Sequence, residues 1–381
     1  MSTTLFKETK TIVLKTNNSC DLKCTYCYDE SNNSKPFRTL DLDNVYSTLK
    51  QLVDYSKKNR ISNLNLIWHG GEPLLMGIDY YSKIVNMQKD FNFDFSNLIQ
   101  TNATHLNLEW VDFFRKNNFK IGVSFDGSVT ANNIHRQKTD IVIKNIELLN
   151  QYSIYPSLIC VISDLNFLHY NEMFDFLKTI KTEYTDLIPC YENNGRYSLS
   201  NSNYKIFMKS MFDLWWNSDR KLNIRFFHNI VDKMQCKVAF SDFITCSLTG
   251  RCGEIISINS DQKVYFCDCL PKETRYQIGL LSQGFDNIGE NSNYNALKLS
   301  NDFTHKDCLE CNFLNICGKG CLTRRQSKNY DLNKDYYCEG RQFLFKHIQT
   351  ILGITEIKNK VIGTPAFTRG PQPIQNKLSI N

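Results

Sequence analysis

Thr11-Ile-Val-Leu-Lys15, followed after a short gap by Ser19-Cys-Asp-Leu-Lys-Cys-Thr-Tyr-Cys-Tyr28, is the stretch on which the reading of the fold turns. A β-branched apolar run of this length reads as a buried strand. Cys20, Cys24 and Cys27 then place three thiolates on one short loop directly behind it. Three thiolates hold three corners of a [4Fe–4S] cube and leave the fourth iron without a protein ligand. An open position of that kind separates a catalytic metal site from a closed structural one. A zinc knuckle lacking one ligand is the alternative on this loop alone.

Composition agrees with intracellular metal chemistry. The chain has 381 residues, enough for a large core and a smaller module, and 15 of them are cysteine. The opening Met1-Ser-Thr-Thr-Leu-Phe-Lys-Glu-Thr-Lys10 has no apolar stretch behind a basic start, and no run approaches a membrane span. A cytoplasmic location is therefore expected, where reduced thiols serve as metal ligands rather than disulfides. The net charge of +6 is spread among both signs, which argues against nucleic-acid or membrane partners.

From about residue 10 to 190 short apolar runs alternate with helical periodicity, the pattern of βα units around a parallel sheet. Strands are expected at Thr11 to Lys15, Leu64 to Trp68, Asn97 to Thr101, Lys120 to Phe125, Ser157 to Ile162 and Leu187 to Pro189, with helices such as Leu42 to Tyr55 and Val142 to Tyr152 between them. Six units fall short of a closed eight-stranded barrel, so a partial (β/α)6 TIM-like barrel is expected, with its active site at the C-terminal ends of the strands. Residues 202–237 read as a helical connector whose Phe207, Met208, Met211, Phe212, Leu214 and Trp215 are core. From Cys246 to Cys338 the chain reads as loop-rich and holds nine cysteines. Eight of them run Cys246-x5-Cys252-x14-Cys267 and Cys308-x2-Cys311-x5-Cys317-x3-Cys321-x16-Cys338, as many thiolates as two further cubes require. A zinc ribbon is the alternative for Cys308 to Cys338. Cys160 and Cys190 read as packing residues. The tail from Gly353, with Pro365, Pro371 and Pro373, reads as a poorly packed extension.

The second strand ends in Trp68-His69-Gly70-Gly71-Glu72-Pro73, the third in Gln100-Thr101-Asn102 and the fourth in Ser124-Phe125-Asp126-Gly127. The Gly pair permits close backbone approach to a ligand, and Glu72 offers an acceptor to an ammonium group.

In these motifs and their order the chain resembles the radical S-adenosylmethionine (SAM) superfamily, and its cysteine-dense half resembles the SPASM module found behind the barrel in peptide-modifying members. The resemblance implies a radical SAM core followed by a small SPASM domain. Segments are expected at 1–200 for the barrel, 201–240 for the connector, 241–345 for the SPASM module and 346–381 for the tail. It further implies three [4Fe–4S] clusters, one of which chelates SAM and releases a 5′-deoxyadenosyl radical that abstracts a hydrogen. Gly70, Gly71 and Glu72 would hold the SAM amino group, Ser124 and Arg136 its ribose and carboxylate, and Tyr28 its adenine. By resemblance to the anaerobic sulfatase maturases, Cys246, Cys252, Cys267 and Cys321 share the inner auxiliary cluster. Cys308, Cys311, Cys317 and Cys338 share the outer one. Asp268 falls where those enzymes place a general base. The alternative for Asp268 is a surface residue in a turn.

Relatives of this layout modify ribosomally made precursor peptides or oxidise a Ser or Cys of a sulfatase to formylglycine. Sulfatase maturases carry Gln before Gly-Gly-Glu-Pro, whereas His69 here is of the peptide-maturase kind. The Asp268 position and Leu187-Ile-Pro-Cys-Tyr-Glu192 lean the other way. Nineteen residues precede Cys20, so a leader peptide would be gripped by the barrel, the SPASM module or another protein. The expectation is a precursor-peptide maturase served by a flavodoxin- or ferredoxin-type reductant. A sulfatase maturase is the alternative, and a multi-cluster electron carrier a second one.

Overall fold

The computed structural model describes residues 9–29, 37–191, 195–237, 245–326 and 333–357. The expected positions of Glu192 and of the proline-bearing tail beyond residue 357 lie outside these.

Six strands follow the expected order: β1 (Thr11–Lys15), β2 (Asn63–His69), β3 (Asp94–Thr101), β4 (Lys120–Ser124), β5 (Ser157–Ile162) and β6 (Thr185–Pro189). Between them come α1 (Leu42–Lys58), α2 (Ile78–Lys89), α3 (Leu108–Lys116), α4 (Val129–His135), α5 (Thr139–Gln151) and α6 (Tyr170–Leu177). Local signals fix the helix starts. Asp41, Asn107 and Ser128 each cap a helix by accepting a hydrogen bond from a first-turn N–H.

Two compact units divide the chain. The first contains residues up to Ile159, Ile180–Glu183 and Gly253–Asn295; the second contains Cys160–Thr179, Tyr184–Cys252 and Ala296 onward. In the first unit, β1 to β4 and the start of β5 form a parallel sheet, paired for example Leu14 with Trp68 and Ile67 with Leu98. β1 is buried on both faces and carries the continuous apolar run Ile12, Val13 and Leu14, whereas β2 buries Leu64, Leu66 and Trp68 on one face. Trp68, Tyr81, Trp110, Phe113, Phe114 and Phe119 pack edge to face, tilted or stacked at centroid distances of 5.2 to 6.4 Å. Burial of such rings contributes on the order of 2–3 kcal/mol each before entropy is counted.

The region read as loop-rich contains strands as well. β7 (Ile255–Ile258) adds to β1 in parallel, and β8 (Lys263–Tyr265) and β9 (Gln277–Leu280) follow antiparallel. Runs of three or four residues are too short for alternation to register in sequence.

In the second unit, β6 lies beside the end of β5, with the Cys190 N–H donating to Ile162 O at 2.7 Å. The connector forms α7 (Asn201–Asn217) and α8 (Arg225–Met234). Phe207, Met208, Met211, Phe212 and Trp215 are buried, Leu214 half-buried, and Cys160 and Cys190 are core. The helix Cys338–Ile351 packs on α7, where Tyr204 stacks on Tyr337 at 4.5 Å. No helix among the described residues is long and apolar enough to cross a membrane.

Candidate active site at the strand ends

The three-cysteine loop is sewn to the end of β2. Gly71 N–H donates to Asn17 O at 3.0 Å and Glu72 N–H to Ser19 O at 2.7 Å, while Asn17 Nδ2 returns a bond to Glu72 O at 2.9 Å. This close seam is what requires glycine. A Cβ on Gly71 would lie 1.9 Å from Ser19 O, and one on Gly70, at φ +148°, would lie 2.5 Å from Asn17 O.

Donors are aimed at the loop's sulfurs. Cys20 Sγ accepts from Leu22 N–H at 3.4 Å and faces Asn102 Nδ2 at 3.6 Å, and Arg136 approaches Cys24 Sγ at 4.0 Å. Burial pushes the Cys20 thiol up to about 12, so the thiolate form needs a metal to pay its desolvation, and loading releases protons.

Glu72 is buried with its carboxylate fully engaged. Oε1 accepts from Thr101 Oγ1 at 2.5 Å and Leu74 N–H at 3.0 Å, and Oε2 from Asn102 N–H at 2.8 Å. Burial raises this carboxyl to about 7 against the pull of those three donors. Glu72→Ala leaves three buried donors without an acceptor. We expect it to lower stability by about 2–4 kcal/mol, read as the denaturant midpoint at unchanged slope; a change under about 0.5 kcal/mol would contradict this role.

Arg136 follows α4 and is pinned: Nε donates to Tyr26 Oη at 2.6 Å and to Asp126 Oδ1 at 3.3 Å, and Tyr26 Oη donates to Asp126 Oδ2 at 2.6 Å. Tyr26, inside the cysteine motif, thus ties the loop to the end of β4, a role its sequence position did not announce. Ser124 accepts from Gln100 Nε2 at 3.1 Å. Asp21 collects Asn102, Thr104 and Lys138 at 2.7 to 2.9 Å. Burial would raise its carboxyl, but those partners outweigh it and hold it at about 2.

Asp268 sits in a turn with 14% of its side chain exposed, and its carboxylate is engaged in a charged cluster. Its Oδ2 accepts from Tyr28 Oη at 2.6 Å, and its Oδ1 lies 3.3 Å from both Lys15 Nζ and Lys272 Nζ. Lys15, at the end of β1 and only 3% exposed, also pairs with Asp29 at 2.6 Å. Burial opposes ionisation of Asp268, but Lys15 and Lys272 outweigh it and keep the carboxyl far below the usual range. The Tyr28 ring is 51% exposed although its hydroxyl is committed. His69 Nδ1 lies 2.7 Å from the Gly70 N and 3.1 Å from the Gly70 O, and burial lowers the pKa of its ring.

In the second unit, Cys308, Cys311, Cys317 and Cys338 line one cavity together with Arg341 and Gln342. Cys246, Cys252 and Cys321 belong to the same unit, while Cys267 belongs to the first. Cys236 and Cys269 are exposed.

A three-cysteine loop thus stands behind the first strand of a parallel α/β sheet, with a Gly-Gly-Glu seam beside it. The chain belongs to the radical SAM superfamily, whose sequence profile matches residues 14–177. A cysteine-type anaerobic sulfatase-maturating enzyme of Clostridium novyi (strain NT) is 28% identical over 371 residues, spanning 91% of this chain and 96% of that one. Native anSMEcpe with bound AdoMet superposes with a TM-score of 0.79 at 22% identity, covering 90% of this chain and 99% of that one. Streptococcus suis SuiB bound to S-adenosylmethionine gives 0.62 at 17%, covering 88% and 78%. At these identities the structural likeness speaks for the fold: an α/β core with a parallel sheet and a cysteine-rich C-terminal region. Between the two substrate expectations, the comparisons back the sulfatase maturase better than the precursor-peptide maturase.

Proposed function

We propose that this chain is a sulfatase-maturase type radical SAM enzyme that oxidises one Cys or Ser side chain of a protein substrate to formylglycine. The observation that carries this reading is the Asp268 carboxylate, 14% exposed, bonded to Tyr28 of the cysteine loop and paired with Lys15 and Lys272.

Cys20, Cys24 and Cys27 hold the SAM-binding cluster, with Gly70, Gly71 and Glu72 shaping the amino end of the SAM site. Ser124 and Arg136 flank its ribose and carboxylate, and the exposed ring face of Tyr28 meets the adenine. Bound there, cluster and SAM supply a 5′-deoxyadenosyl radical able to take one hydrogen atom from a substrate carbon. Cys246, Cys252, Cys267 and Cys321, and Cys308, Cys311, Cys317 and Cys338, would hold two auxiliary clusters, which would supply a place for the electron that leaves next. A flavodoxin- or ferredoxin-type protein is the matching reductant.

Asp268 takes the proton released with that electron. A carboxylate between two ammonium groups is a weak base, yet it suffices, because a one-electron-oxidised carbon bearing SH or OH is strongly acidic.

His69 favours a second reading, a precursor-peptide maturase that installs a crosslink. Anaerobic incubation with SAM, reductant and a sulfatase-derived peptide containing Cys or Ser separates the two. An aldehyde at that single residue, captured with a hydrazide and mapped by mass spectrometry, is expected. Loss of two hydrogens at crosslinked residues of a precursor peptide, with the sulfatase peptide untouched, would replace the first reading by the second.

A further inference from the structure

The cysteine cavity of the second unit holds directed positive charge as well as thiols. Arg341, 1% exposed, aims one guanidinium nitrogen at Cys317 Sγ, 3.4 Å away, and the other at Ser247 O and Oγ, at 3.0 and 3.2 Å. Gln342 Nε2 lies 3.6 Å from Cys311 Sγ and 3.8 Å from Cys338 Sγ. Three of the cavity's four thiols therefore face an N–H donor, and only the one at Cys317 is fully charged among these contacts.

Asp335, 4% exposed, holds Arg341 in place. Its Oδ2 lies 3.8 Å from Arg341, accepts the Cys321 N–H at 2.8 Å and pairs with Arg324 at 3.0 Å. The chain is bent to permit this. Gly318, Lys319 and Gly320 all have positive φ, at 60°, 69° and 80°, and a Cβ on Gly320 would lie 2.2 Å from Asp335 Oδ2. Two guanidinium groups share one carboxylate, so a net positive charge remains buried beside Cys317.

We infer that Arg341 is a positioning residue that raises the reduction potential of the cluster on Cys308, Cys311, Cys317 and Cys338. This rests on the cluster assignment proposed above. Reduction adds one electron and no proton to the cube, so its charge becomes one unit more negative. A buried cation with an N–H directed at a ligand sulfur stabilises that state more than the oxidised one. Asp335 counters part of the effect. The electron comes from the oxidised substrate carbon in turnover and from dithionite in the test.

The test uses the full chain with Cys20, Cys24 and Cys27 replaced by Ala, so that only auxiliary signals remain in an anaerobic redox titration followed by electron paramagnetic resonance. Arg341→Gln is expected to retain its iron and to lower the reduced-to-oxidised ratio of one auxiliary signal about tenfold at fixed potential, equivalent to about 59 mV for one electron. The other signal moves less. Asp335→Asn moves the same signal the opposite way, with a shift of the cluster bearing Cys321 beside it because Asp335 also accepts the Cys321 N–H, and decides the matter if Arg341→Gln loses iron. Full iron with unmoved potentials, or an unmoved potential in Asp335→Asn, overturns the inference while leaving the cluster assignment intact. Iron for fewer than two cubes in the parent protein, or zinc in the cavity, overturns the assignment and the inference together.

Discussion

Replacing Cys20, Cys24 and Cys27 together by Ala is expected to abolish 5′-deoxyadenosine formation while leaving the auxiliary iron in place. The donors around that loop belong to the protein scaffold. Asn102 is also bonded to Asp21, and Arg136 is pinned by Tyr26 and Asp126, so the loop has anchors that do not depend on metal. The variant should fold, lose about one third of the iron and show no SAM cleavage above background. Iron analysis and chromatography of the quenched reaction read both outcomes. Residual cleavage at more than a few per cent of the parent rate would mean that SAM is activated elsewhere.

Asp268→Asn is expected to separate SAM cleavage from product formation. The amide keeps an acceptor for Tyr28 and roughly the same volume, but it has no useful proton affinity and no charge to offer Lys15 and Lys272. Lys15 keeps Asp29 as a partner at 2.6 Å, so the end of β1 retains one of its two ion pairs. Formylglycine should fall about 100-fold, in the range general-base catalysis supplies, while 5′-deoxyadenosine continues to form. Equal product in variant and parent would remove Asp268 from the chemistry. Parallel loss of both products would make it a residue that shapes the SAM site.

What the sequence disclosed and what it hid follow from distance along the chain. The three-cysteine loop and Trp68-His69-Gly70-Gly71-Glu72 are local, and their spacing alone carries the constraint. β1 is legible because burial on both faces demands an unbroken apolar run, and β2 because Leu64, Leu66 and Trp68 alternate with less buried residues. By contrast, the ion pair between Lys15 and Asp268 and the bond from Tyr28 to Asp268 join residues some 240 positions apart. They form because β7 adds beside β1, an event three- and four-residue strands do not announce. The glycine pair teaches a related point. Its sequence suggested room for a ligand, whereas the backbone of Asn17 and Ser19 fills the space beside it. Buried Arg341 and Asp335 look, in sequence, like two more charges near cysteines. Only their packing reveals where the charge is directed.

The central claim is that the cluster on the N-terminal cysteine loop binds SAM at an iron the protein leaves open. The direct measurement is the electron paramagnetic resonance spectrum of the reduced, anaerobically reconstituted protein as SAM is added. A shifted signal from that cluster, accompanied by 5′-deoxyadenosine on turnover, is predicted. A spectrum unchanged at saturating SAM would contradict it and leave the chain an electron carrier.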